Sequence, residues 1–189
     1  MSLIPAFEIG IWNAWILTIF MLMVGMVPSF FINKERTKAM EGWPPYSKTE
    51  KILALSTHVF IMPVVAIYSI FLPLKLGTVW LYAGLPICFL GGVMILIAYI
   101  NIIGTPPDEP VTKGAYHISR HPLYFGQFLL YVGMGIACAS WVILLFAVAW
   151  IALWHPALPP EERHCLKVYG DAYRKYMKRT PRWIGIPKS

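Results

Sequence analysis

The sequence predicts an all-α integral membrane protein with five transmembrane helices, the last two a tight helical hairpin, followed by a cytoplasmic amphipathic helix. Composition is the first reason: 58% of the 189 residues are hydrophobic, 13% are charged and the mean hydropathy is +0.60, far from the balance of a soluble domain. The second is a stretch without formal charge from Leu123 to Leu158, nearly twice the roughly 20 residues that one crossing needs. The third is an alternation of Lys and Arg between the apolar stretches, the mark of loops that take turns on the cytoplasmic side.

Residues 10–31 form the first expected span. It is too long for the apolar part of a cleaved leader, and neither a basic flank nor a clear cleavage site accompanies it; it reads as a retained helix. Lys34, Arg36, Lys38, Lys48 and Lys51 follow and place that loop in the cytoplasm. The second span covers 52–74 and is kinked by Pro63; His58 within it reads as an interior hydrogen-bonding group near the interface. Lys75 is the one basic residue before the third span, 78–103, where Asn101 is either an interfacial cap or a site contact. The loop 104–119 holds Pro106, Pro107 and Pro110, too much proline for a helix, and forms either a pocket wall or a solvated connector.

The uncharged stretch then divides into spans 123–139 and 142–158, turning at Ser140-Trp141. Gly133, Gly135, Ala137 and Ala139 offer small faces for close helix packing. A last helix over 160–177 places Leu166, Tyr169, Tyr173 and Tyr176 at helical spacing, with Arg163, Lys167, Arg174 and Lys178 free to face water or phosphate. Within it, Gly170 implies close packing or a break. The tail after Leu158 holds eight Lys and Arg, so the expected topology is multi-pass in a cytoplasmic membrane, N-terminus outside and C-terminus inside, as one membrane domain over 1–189.

The net charge of +7 follows from that asymmetry and from attraction to anionic head groups. Nothing in the pattern suggests a nucleic-acid partner. Cys88, Cys138 and Cys165 have neither disulfide nor zinc spacing, no metal site is expected, and no glycine-rich nucleotide motif appears.

A hairpin returns both its ends to one membrane face, which brings Arg120-His121-Pro122-Leu123-Tyr124 next to Pro159-Pro160-Glu161-Glu162. Pro122 suits a helix's first turn, and the open N–H groups there suit a carboxylate or phosphate. Read blandly, Arg120 anchors to lipid phosphate, His121 caps the helix, and the two acids complement a second helix start.

Gly114-Ala115-Tyr116, Arg120 to Tyr124, the apolar hairpin, Glu161-Glu162, Tyr169 to Tyr173, Tyr176 and Pro181-Arg182 together resemble the isoprenylcysteine carboxyl methyltransferase and phospholipid methyltransferase family, over about residues 108–187. The resemblance implies S-adenosylmethionine bound at the cytoplasmic ends of the last two spans. His121, Pro122, Leu123 and Tyr124 would contact it, with helix-start N–H groups near its carboxylate; Tyr116 would pack near the adenosyl moiety, and Glu161 would meet a polar or cationic part. Asp108, Glu109, Pro110 and Val111 align with a segment that wraps the cofactor, chiefly through backbone. His121 and Glu162 are the candidate catalytic residues. The acceptor would be a lipophilic molecule: a lipid amine, a prenylated cysteine or another hydrophobic nucleophile. The isoprenylcysteine enzymes carry an Arg four residues before the Glu-Glu pair; here Ala157 stands there, with His155 nearby, and the bidentate clamp for a substrate carboxylate is missing.

Two other readings compete. Sterol reductases resemble the group in their C-terminal halves but use NADPH, and their 2′-phosphate site would call for more basic contacts than a loop offering Asp108 and Glu109. A non-catalytic lipid-binding scaffold would need none of Tyr116, His121 and Glu161.

Overall fold

The computed structural model describes residues 7–40, 47–49, 51–52 and 62–187. Among these the chain is helical, and the one β feature is an isolated bridge between Asn13 and Pro73. In chain order the helices are α1 (Trp15–Met26, continued by a 3-10 turn, Val27–Phe31), α2 (Lys34–Met40), α3 (Met62–Ile70), α4 (Val79–Ile103), α5 (Ala115–Ile118), α6 (Pro122–Ala137), α7 (Trp141–Trp154, then a 3-10 turn, His155–Ala157) and α8 (Leu158–Arg179). His58 and residues 53–61 of the second expected span lie outside the described residues.

α4 has 25 residues, about 37 Å at 1.5 Å per residue, and is long and apolar enough to cross a bilayer, as is the helical stretch that begins at Trp141. The apolar helices Trp15–Phe31 and Pro122–Ala137 are shorter. Phe89, Leu145 and Val148 point outward and exposed, as side chains facing lipid do.

α4 and α6 form the tightest contact, and glycine explains it. Gly84 and Gly91 on α4 meet Gly133 and Gly126 on α6, each pair seven residues apart and so on one face. A Cβ on Gly133 would lie 2.3 Å from Cys88 N, and one on Gly84 2.3 Å from Ala137 N. The backbones touch because no side chain intervenes. Gly135 instead faces Leu144 of α7.

Cys138, Ala139 and Ser140 join α6 to α7. Ser140 N–H donates to Gly135 O and Ala139 N–H to Ile136 O, both at 2.8 Å, which is the Schellman arrangement. Ala139 holds the left-handed position at φ 50°, where glycine is usual, and Ser140 Oγ accepts from Ile143 N at 3.4 Å to start α7. On the other side of the bundle α1 is tied to α3 by a buried Thr18–Ser69 hydroxyl pair at 2.9 Å and by Asn13 Nδ2 donating to Ile70 O at 2.7 Å.

α7 runs through the 3-10 turn into α8 without a loop. Gly170 breaks α8 at φ 53°, ψ −127°, so of its two sequence readings the break is the one realised. Tyr173 and Tyr176 are buried on the inner side; Arg163, Lys167, Arg174 and Lys178 are exposed.

Candidate active site

The loop into α6 is fixed from both sides before any site residue is placed. Gly114 adopts φ 58°, and Asn101 Oδ1 accepts from Ala115 N at 3.0 Å, so Asn101 caps α5, as the first of its sequence readings has it. A Cβ on Gly114 would fall 2.3 Å from that carboxamide. From the C-terminal side, Tyr176 donates its hydroxyl to Tyr116 O at 2.7 Å, Arg120 N–H donates to Pro181 O at 3.0 Å and Gly185 N–H to Ile118 O at 3.1 Å. The tail thus clasps residues 116–120. Ser119 Oγ then accepts from His121 N at 3.1 Å, and Pro122 opens α6.

His121 projects between the two acids of α8. Its Nδ1 lies 3.6 Å from Glu161 Oε2 and its Nε2 3.2 Å from Glu162 Oε1, so each ring nitrogen faces a carboxylate and the imidazole orientation is fixed. Tyr124 donates its hydroxyl to Glu161 Oε1. Glu162 is 4% exposed and is gripped by Arg182 through Nε at 3.0 Å and Nη2 at 2.7 Å, with Arg120 Nη1 at 3.2 Å. Burial by itself would raise its pKa; the hydrogen bonds from His121 and Arg182 and the Arg120 charge overcome this and hold it at about 2. Glu162 therefore stays ionised, a buried counter-ion that orients His121, Arg120 and Arg182.

These elements enclose a cavity of about 860 Å³. Its polar end is lined by Arg36, Tyr116, Arg120, His121, Glu161 and His164, with Tyr124, Trp154, Tyr169, Tyr173 and Tyr176 supplying aromatic walls; its apolar end is lined by Met21, Leu22, Met62, Ala66, Ile95 and Trp150. Burial raises the phenols of Tyr173 and Tyr176 above their ordinary range, so both remain neutral. Burial also pushes the Cys165 thiol, on the same wall, up to about 11.

Of the residues singled out in the sequence, Pro110, Val111, Tyr116, His121, Leu123, Tyr124 and Glu161 line this one cavity. Asp108, Glu109, Pro122 and Glu162 do not: Pro122 is fully buried as the first residue of α6, Glu162 sits behind His121, and Glu109 contributes its carbonyl to Arg36. Arg36, Tyr173, Cys165 and Arg182 are the participants that sequence reasoning passed over or used otherwise. Arg36 counted only as a topology charge, and Tyr173 as part of an amphipathic face and of the resemblance, without a site role.

Fold and site together define a helical membrane protein with a cavity polar at one end and apolar at the other. The phospholipid methyltransferase family matches residues 79–172, and that match, with the isoprenylcysteine O-methyltransferase relatives, supports a place for this part of the chain in the group. The nickel-cobalt-cadmium resistance protein NccN of Alcaligenes xylosoxydans xylosoxydans is 34% identical over 43% of this chain and 38% of its own length. Protein-S-isoprenylcysteine O-methyltransferase of Schizosaccharomyces pombe is 33% identical over 41% of this chain and 32% of its own. The Delta(14)-sterol reductase LBR of Gallus gallus is 27% identical over 45% of this chain and 14% of its own. The chain thus spans less than two fifths of the length of these curated relatives.

Proposed function

We propose that the chain is an S-adenosylmethionine-dependent methyltransferase that modifies a lipophilic acceptor at the cytoplasmic face of a membrane, with five spans, the N-terminus outside and the C-terminus inside. The observation that carries this reading is the two-ended cavity. Its polar end joins an anion, Glu161, to a set of aromatic faces, a combination suited to a sulfonium or ammonium group. Its apolar end suits a hydrocarbon chain, which enters sideways from the bilayer while a water-soluble donor enters from the cytoplasm.

When bound, S-adenosylmethionine supplies an electrophilic methyl group on a positively charged sulfur. The chain's own residues bind, orient and exclude water, which for an in-line displacement is the larger part of catalysis. Glu161, held by the Tyr124 hydroxyl and facing His121 Nδ1, balances positive charge in the pocket. His121 stands on the cavity wall with Glu162 behind it, placed to take a proton from an acceptor amine, hydroxyl or thiol. Glu162 acts through His121, as a positioning residue.

Ala157 is 3% exposed in the turn before α8 and does not line the cavity, while His155 stacks on Trp183 with ring centroids 6.0 Å apart. Neither offers a guanidinium at the place where the isoprenylcysteine enzymes carry an Arg, so the acceptor is a lipid amine, a prenylated cysteine or another hydrophobic nucleophile. Calorimetry on the purified protein tests the donor half. Wild type binds S-adenosylmethionine and Glu161→Ala weakens the affinity at least 10-fold; absence of binding by wild type refutes the reading. Incubation of native membranes with methyl-labelled donor, followed by mass analysis of labelled lipid, identifies the acceptor, and a thermal shift with NADPH in place of S-adenosylmethionine would instead support a reductase.

A further inference from the structure

Arg36 is a buried cation that makes no ion pair with an acid among the described residues. It lies on α2, before the segment that matches the family, is 4% exposed and lines the polar end of the cavity. One nitrogen, Nη1, donates to two neutral carbonyls of the proline-rich loop, Pro106 O at 2.9 Å and Glu109 O at 2.7 Å. The guanidinium carbon sits 5.8 Å from the Tyr169 ring centroid. Among the described residues no carboxylate comes within ion-pair distance of it; Arg120, the other arginine on the cavity wall, is committed to Glu162. A guanidinium cannot shed its proton to escape burial, and a buried charge without a counter-charge is costly.

We propose that Arg36 binds the anionic group of the ligand that occupies this cavity. The proposal rests on the donor reading above and deepens it. Glu161 lies beside the start of α6, so two carboxylates already meet the positive end of that helix, and a third there would be repelled. The positive charge on the cavity wall that makes no ion pair among the described residues is Arg36. A zwitterionic amino-acid group therefore lies with its ammonium toward Glu161 and its carboxylate toward Arg36. Nη1 holds the loop, which keeps Pro110 and Val111 in the wall, and the side chain also hydrogen-bonds the Tyr169 hydroxyl, while Nε is buried without a partner among the described residues and is left for the ligand. A phosphate on a lipid acceptor presents the same chemistry, so the experiment separates the two sources.

Wild type and Arg36→Gln are titrated with S-adenosylhomocysteine and with 5′-methylthioadenosine, which lacks the amino-acid carboxylate. The expected result is a 10- to 100-fold loss of S-adenosylhomocysteine affinity in the variant, a size typical of a charge-assisted pair, with little change for methylthioadenosine. Equal losses for both ligands, or none for either, overturn the proposal. Arg36→Lys, which keeps the charge, recovers part of the difference and stands in should the glutamine variant misfold. Failure of wild type to bind either nucleoside refutes the donor reading instead. Dioctanoyl phosphatidate against dioctanoylglycerol then decides for Arg36: selective loss of phosphatidate in the variant supports anion binding, and no selective loss overturns it.

Discussion

Replacing Glu162 by Gln keeps the size of the side chain and removes its charge, which isolates the role of that charge. Four contacts converge on the carboxylate: Arg182 Nε at 3.0 Å and Nη2 at 2.7 Å, His121 Nε2 at 3.2 Å and Arg120 Nη1 at 3.2 Å. In the variant an amide N–H₂ turns toward one of these cations, and two guanidinium groups lose their counter-ion. The ionised form is favoured by the fall in pKa from 4.5 to about 2, worth on the order of 3 kcal/mol at about 1.4 kcal/mol per unit. Breaking one side of a buried ion pair costs a similar 3–5 kcal/mol or so. For a chain of this size the melting temperature should fall by about 6–12 °C, measured by thermal unfolding in detergent at pH 7. The pH dependence supplies an independent check. Because the folded-state pKa is depressed, the stabilisation is complete above about 4.5 and disappears as pH falls toward about 2. Wild type should lose stability across that window while Glu162→Gln changes less. Equal melting at pH 7 together with superimposable acid limbs would refute the assignment of Glu162 as a charged keystone.

Two further substitutions test the scaffold. Gly133→Leu drives a side chain into the α4 backbone at Cys88, where even a Cβ would approach to 2.3 Å, and should cost at least the 1–3 kcal/mol typical of overpacking, seen as aggregation or an early melt. Gly25→Ala, whose Cβ meets nothing within 4 Å, serves as the tolerated control. Ala139→Gly relieves the left-handed position at φ 50° and should raise stability by up to about 1 kcal/mol; an unchanged or lower melting temperature would show that Ala139 is not strained.

Legibility differs sharply between the two sides of the site. Arg120 to Tyr124 and Glu161-Glu162 can be read locally, because proline at a helix start and acids in a first turn are short-range chemistry, and the resemblance supplies their order. Asn101 could be read only as polar and near an interface; the left-handed Gly114 beside it makes it a cap. Arg36 was not legible as a site residue. Its partners lie 70 and 73 positions away, and a basic residue between two apolar stretches carries the same sequence signal whether it faces lipid phosphate, water or a pocket.

By itself the sequence determined helical class, apolar stretches and the two motifs that bracket the uncharged region, since these follow from composition and from spacing within a single element. Tertiary structure decided which charges act together. Glu161 faces the cavity and Glu162, its neighbour, stands behind His121, because successive residues on a helix point in different directions. Only the packing of α2, the proline-rich loop, α6 and α8 puts Arg36 and Glu161 on the wall of one cavity.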